Sequence, residues 1–306
     1  MQTLKYIIKR VLLAAVSLLV IVTITFFLMN LMPGDPFMSE KATEENRALL
    51  IAKYGLDKPV YVQYGRYLEN LMKGDMGTSY VLQKGRAVSD IIRESFSISM
   101  QLGVKALIVA VIGGLILGCI AGLRKDKLSD NIIRVLSSIG ISMPSYVIAS
   151  IVLIVFAVKL GWLPISYKKA GGSVMPIITL ATYPMCYLAR LTRASILEVM
   201  NQDYLRTERA KGMSEFVVVF IHALKNSLIP IITYVARLTA TILTGGFVAE
   251  SVFNVPGLGR YFVSCISSRD YTMIMGVTIF YSALIIIMNL VCDILYKIVD
   301  PRITLD

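Results

Sequence analysis

The residue types that usually carry catalysis are sparse here, and their spacing argues against most enzyme classes. The one histidine is His222. A serine hydrolase needs a serine and a histidine facing a common cavity. Gly140-Ile141-Ser142 supplies a serine inside an apolar run, whereas His222 falls on the cytoplasmic side, in a different layer, so intramembrane hydrolysis is not expected. His222 reads instead as structural, bonded to backbone or to a neighbouring acid. Cys119, Cys186, Cys265 and Cys292 form no CxxC pair, which argues against a zinc or redox site. Three of them fall within apolar runs and read as small core residues, not as a disulfide framework. Neither HExxH nor a Walker A sequence is present, so no nucleotide is expected on a P-loop of this chain. Gly257-Leu258-Gly259 begins a dinucleotide fingerprint, but the third glycine is missing and no strand precedes it.

The residue whose position demands an explanation is Arg237. It is the one charge in the otherwise apolar run 226–249. Ionisable groups inside a membrane are costly and face protein or water. Arg237 therefore either lines a path, where it could attract a substrate carboxylate, or pairs within the bundle, for which Asp293 is available. Lys105 sits near a span end and can snorkel. The spans offer almost no buried carboxylates, which argues against a proton-driven carrier.

These residues must be held by membrane helices. Of 306 residues, 56% are hydrophobic and only 17% charged, with a mean hydropathy of +0.69; a soluble domain carries about a quarter charged residues. A span needs about 20 apolar residues. Runs free of charge cover 11–34, 106–123, 135–158, 170–189 and 271–292, the fourth expected to be broken by Pro176 and Pro184. With 226–249 they give six candidate spans, each helical to satisfy its own backbone. The first follows Lys5, Lys9 and Arg10, but it is too long for a signal peptide and lacks a small-residue cleavage site. It reads as a retained helix.

With the N-terminus in the cytoplasm, segments 1–10, 124–134, 190–225 and 297–306 hold fifteen Lys and Arg, against five in outer loops 159–169 and 250–270. The positive-inside rule favours this orientation and accounts for most of the net charge of +11. Nucleic acid is therefore not an expected partner. The long outer segment 35–95 carries Tyr61, Tyr64, Leu68, Leu71 and Met72 at helical spacing, predicting a one-faced helix. It suits a cap on the outer membrane face, a docking surface for an external partner, or both.

Segment 190–225 is long for a structureless connection. Gly212 suits a helix end, Ser214 an N-cap and Glu215 a first turn. A helix, a glycine break, a short helix and Pro230 are predicted, presenting a rigid charged surface suited to a docking partner. Gly113-Gly114, Gly118 and Gly122 place small residues four apart for close helix approach. Gly245-Gly246 reads likewise, or as a loosening of the fifth span.

The stretch Tyr204-Leu-Arg206-Thr207-Glu208-Arg209-Ala210-Lys211-Gly212, followed by His222-Ala-Leu-Lys-Asn226 and Pro230, resembles the coupling loop of ABC-importer permeases of the peptide and nickel branch. Met32-Pro33-Gly34-Asp35-Pro36, Tyr54 to Pro59, Gly74 to Ser79, Pro256 to Arg260, Arg269-Asp270-Tyr271 and Asp300-Pro301-Arg302 extend the resemblance over nearly the whole chain. Together these look like the first permease subunit of an oligopeptide uptake system. The wider Glu-Ala-Ala-x-x-x-Gly motif, aligned on Gly212, is replaced here by Arg206-Thr207-Glu208, so the contact pattern departs from the common one.

The resemblance implies an all-α membrane protein with the type I ABC importer permease fold, six transmembrane helices and both termini cytoplasmic. It implies a tail and first helix over 1–34, an extracytoplasmic segment over 35–95, and a core domain over 96–306 with its coupling loop at 195–226. Tyr204, Arg206, Thr207, Glu208, Arg209, Ala210, Lys211, Gly212, His222 and Asn226 would couple the chain to an ATPase. ATP and Mg would be bound by two partner ATPase subunits and no cofactor by this chain. A homologous second permease, an external peptide-binding protein and the lipid bilayer complete the expected partners. A dipeptide or nickel permease of the same fold, or a self-sufficient channel, are the competing expectations.

Overall fold

The computed structural model describes the main chain of residues 2–31, 51, 55, 57–243 and 246–299, and their side chains except at 2–8, 215, 220, 229, 243 and 293–299. Among the described residues there are helices and turns, with one isolated bridge between Thr78 and Ala87 and no strand. In chain order the helices are α1 (Gln2–Leu31), α2 (Val60–Met72), α3 (Val88–Leu123), α4 (Leu128–Ser142), α5 (Ser145–Val152), α6 (Val174–Met200), α7 (Asp203–Ala210), α8 (Leu224–Leu243), α9 (Phe247–Val252), α10 (Leu258–Ser268) and α11 (Tyr271–Val299). A π-helical stretch, Leu153–Lys159, continues α5, and another, Val218–Ala223, leads into α8 from a short turn at Glu215–Val217.

Among the described residues, four stretches are long and apolar enough to cross a membrane: Lys9–Leu31, Val88–Leu123, Val174–Met200 and Tyr271–Cys292. The pair α4–α5, bent by 111°, makes a fifth if it counts as one span. Two sequence expectations change here. The uncharged run 135–158 is not a single helix, because Met143 is extended (ψ 129°) and Pro144 precedes α5 as its N-cap. A residue before proline is driven out of the helical region. Conversely, α6 runs unbroken through Pro176 and Pro184. Pro176 lies in the first turn, where an N–H has no helical partner to lose. Pro184 is accommodated inside the helix.

The chain forms two compact units. The first comprises residues up to Ile98 with Pro256–Ile287. Its core joins Val88, Ile91 and Ile92 of α3 to Leu258 and Cys265 of α10 and Met273, Ile274 and Val277 of α11. In α2 the predicted apolar face is rotated. Tyr61 and Met72 are exposed, while Tyr64 and Tyr67 turn to Phe26 of α1, with ring centroids 5.3 and 5.9 Å away. Thr23 and Tyr64 share a 2.7 Å hydrogen bond between their hydroxyls. Burial pushes the Tyr67 phenol well above its ordinary pKa.

Asp270 organises the rest of this unit. Its carboxylate, fully buried, accepts hydrogen bonds from Ser79 Oγ and from the backbone N–H groups of Tyr80 (3.1 Å), Val81 (3.1 Å) and Leu82 (3.0 Å). It also caps the start of α11 through the Met273 N–H at 3.4 Å, as an N-cap aspartate does.

The second unit comprises Ser99–Val255 and the chain from Met288. Here α4, α5 and α8 pack against α6. The glycine stripe makes the close approach expected of it. A Cβ on Gly114 would stand 2.5 Å from Leu188 Cβ, and one on Gly118 would stand 2.8 Å from the Ala189 carbonyl oxygen. Gly122 meets Ile196 in the same way, so α3 and α6 touch along three turns. At one end of α4, buried Asp130 holds Arg193 of α6 in a bidentate pair, Nε–Oδ1 2.6 Å and Nη2–Oδ2 2.8 Å. The Asp126 N–H donates to the same carboxylate at 2.9 Å.

Candidate functional site

The segment singled out by its pattern of polar and helical residues folds as an elbow within the second unit. Helix α7 has strongly polar composition and one apolar anchor. Leu205 is fully buried and packs with Val218 and Ala223, beside Val199 and Met200. The remaining residues of α7 can then face outward. Arg206, Thr207, Ala210 and Lys211 are exposed, and Glu208 and Arg209 are half-buried. Arg206 pairs with Asp203 at 3.4 Å and Lys211 with Glu208 at 3.3 Å, one turn apart along the helix.

Gly212 ends α7 as its position suggested. Its φ is +82°, the left-handed region that favours glycine, and its N–H donates to the Arg209 carbonyl at 2.9 Å. Lys211 N–H donates to Thr207 O at 3.0 Å, and Met213 N–H reaches Glu208 O at 3.4 Å. The chain re-enters a helix at Glu215, directly after Ser214, whose carbonyl accepts from Val218 N–H at 3.1 Å. The two halves of the sequence motif meet: Asn226 Nδ2 donates to Tyr204 Oη at 2.8 Å. Of the residues named from sequence, Tyr204, Glu208, Lys211, Gly212 and Asn226 are thus joined through the elbow's own geometry.

His222 departs from its expectation. It sits half-buried in the π-helical stretch, and among the described residues no hydrogen bond reaches its imidazole. The π turn itself was not legible, because nothing in the residues Val218–Ala223 distinguishes a π turn from an α turn.

The second feature is a cavity of about 700 Å³ in the same unit. Its walls come from the chain's irregularities: the Met143-Pro144 break between α4 and α5, Pro184 within α6, and Gly246 before α9. Arg237 of α8 lies exposed on this wall. Among the described side chains no acid lies within ion-pair distance of it; the Asp293 side chain lies outside the described residues. Tyr183 and Tyr234 share the wall, and Tyr187 stacks on Tyr234 with centroids 4.4 Å apart. Cys186, Cys265 and Cys292 are buried and unbridged.

Comparison with known proteins gives these features a context. Residues 114–305 match the family described as binding-protein-dependent transport system inner membrane component. Residues 3–102 match the N-terminal part of such membrane components. The chain is 44% identical over 303 residues, 98% of each chain, to a dipeptide transport system permease protein of Bacillus subtilis (strain 168). It is 41% identical over 304 residues, 98% of this chain and 99% of the relative, to an oligopeptide transport system permease protein of Haemophilus influenzae. An oligopeptide transport system permease protein of Escherichia coli (strain K12) is 37% identical over 304 residues, again 98% and 99%.

Proposed function

The chain belongs to the family of binding-protein-dependent transport system inner membrane components, and on that premise we propose that it is the pore-forming subunit of an ATP-driven importer of oligopeptides. It is a multi-pass protein of the bacterial plasma membrane. The observation that carries the reading is the elbow: a polar helix pinned by Leu205, ended by a left-handed glycine and tied at its start to α8 by the hydrogen bond between Tyr204 and Asn226. Such a surface is pre-organised, which lowers the ordering cost of docking a partner.

In this reading α7 docks into a cleft on an ATPase subunit. A second, homologous permease completes the pore and brings its own docking helix to a second ATPase subunit. An external binding protein delivers the peptide to the outer segments. Six spans with both termini in the cytoplasm place residues 203–226 on the ATPase side. ATP binding by the partners draws the two docking helices together. Because α7 follows α6 after two residues, that motion is delivered to the helices around the cavity. Arg237 lines the path, and hydrolysis of ATP occurs in the partners alone.

The test uses a photo-reactive thiol reagent on Ala210→Cys, with the wild-type chain and its four cysteines as background. Ala210 is exposed on α7. The expected product is an adduct with an ATPase subunit. Modification of Ala210→Cys by a membrane-impermeant reagent from the outer side would contradict the placement.

A further inference from the structure

We propose that the Arg237 cavity is a stopping point for the transported peptide, a subsite that holds its C-terminal carboxylate. This deepens the permease reading and rests on it. Arg237 lies roughly 9 Å from the end of α8 at 1.5 Å per residue, and a full charge within such a helix is stable only against protein or water. Arg237 lines the cavity, and among the described side chains no acid lies within ion-pair distance of it.

A second observation points to the same missing group. Thr179 of α6, which also lines the cavity, is only 3% exposed, and among the described residues its Oγ1 has no hydrogen-bond partner. A buried hydroxyl left unpaired has lost its water without a replacement partner. A cation with no described acid beside it and an unsatisfied hydroxyl, lining one cavity from α8 and α6, are complementary to a group that only accepts hydrogen bonds through two oxygens. A carboxylate fits, and arginine binds it in a bidentate fork. Tyr183 and Tyr234 offer rings and hydroxyls alongside, and Tyr187 holds the Tyr234 ring by stacking. A peptide brings the carboxylate at its C-terminus whatever its side chains, so one such subsite serves many sequences.

The experiment uses the assembled complex, this chain with its partner permease and ATPases, nucleotide-free in nanodiscs. No delivery protein is then present to impose its own selectivity. The probes are N-terminally labelled trialanine as the free acid and as the C-terminal amide, read by fluorescence anisotropy. The expected result is at least about tenfold tighter binding of the acid, equivalent to ~1.4 kcal/mol. Arg237→Ala and Arg237→Gln should bring the acid down to the amide's affinity, and Arg237→Lys should retain part of the preference. Thr179→Val should weaken the acid alone, about threefold. Equal affinity of acid and amide in the wild type, no binding of the acid, or a preference that survives in Arg237→Gln would overturn the proposal. ATP-driven uptake with the delivery protein is measured on the same preparations. Normal uptake without carboxylate preference removes only the subsite, whereas failure of the wild type to take up any peptide removes the permease reading.

Discussion

Ser79 and Asp270, 191 residues apart in sequence, share a buried hydrogen bond that fixes the turn 79–82 against the start of α11. The same carboxylate accepts three consecutive backbone N–H groups, from Tyr80, Val81 and Leu82. A concave run of N–H groups normally holds an anion, and here the chain supplies its own. Asp270→Ala is expected to strip these donors of their acceptor at about 1–3 kcal/mol each where burial excludes water. Membrane abundance and the detergent melting temperature should both fall sharply. Asp270→Asn keeps an acceptor oxygen and should fall less. Equal melting temperatures for the wild type and Asp270→Ala would show that the clasp is dispensable.

Gly212 is the sharpest test of the elbow. No atom lies within 4 Å of the space a Cβ would take, so its requirement is conformational and not steric. Gly212→Pro must abandon φ +82° and the N–H donated to Arg209. It is expected to leave abundance normal and to remove uptake. Gly212→Asn, which tolerates the left-handed region, should keep most uptake. Full uptake by a normally abundant Gly212→Pro variant would separate the turn from coupling.

Leu205 and Tyr204 hold the elbow in different ways. Leu205→Ala opens the small core with Val218 and Ala223, a change that costs about 2–5 kcal/mol in well-packed interiors. It should loosen α7 without touching its exposed face. Tyr204→Phe removes only the bond to Asn226, worth about 0.5–1.5 kcal/mol. Peptide transported per ATP hydrolysed should drop strongly in Leu205→Ala and mildly in Tyr204→Phe. The reverse order would place the coupling contact on the Tyr204 hydroxyl itself.

Along the glycine stripe, Gly118→Val would drive a branched side chain into Thr192 and the Ala189 carbonyl. Overpacking of this kind costs about 1–3 kcal/mol, and the neighbour here includes backbone that cannot turn aside. Reduced yield and a lower melting temperature are expected, with Gly118→Ala intermediate. Wild-type stability in Gly118→Val would mean that α3 and α6 can separate at no cost.

What the sequence made legible is local. Gly212 followed by Ser214-Glu215 marked the end of α7 and the restart at Glu215, because caps are written within a few residues. The stripe of glycines announced a close helix contact by spacing alone. The break at Met143-Pro144 was also written locally, but the absence of charge over 135–158 masked it. Pro184 misled in the opposite direction, since a single proline inside a long packed helix need not end it. The Asp270 clasp and the Asp130–Arg193 pair join residues 191 and 63 positions apart, and no periodicity connects such partners. Arg237 was conspicuous as a lone charge, but its cavity required the geometry of α4, α5, α6 and α9 together.

In the proposed function this chain is a gate moved by an ATPase that it grips through α7. The measurement that decides it is accumulation of a labelled oligopeptide in proteoliposomes containing this chain, alone or with its partner permease, with the delivery protein outside and ATP on the ATPase side, with and without the ATPase subunits. Accumulation above the external concentration is expected only when the partner permease, the ATPase subunits and ATP are all present. Nucleotide-independent uptake by this chain alone would contradict it.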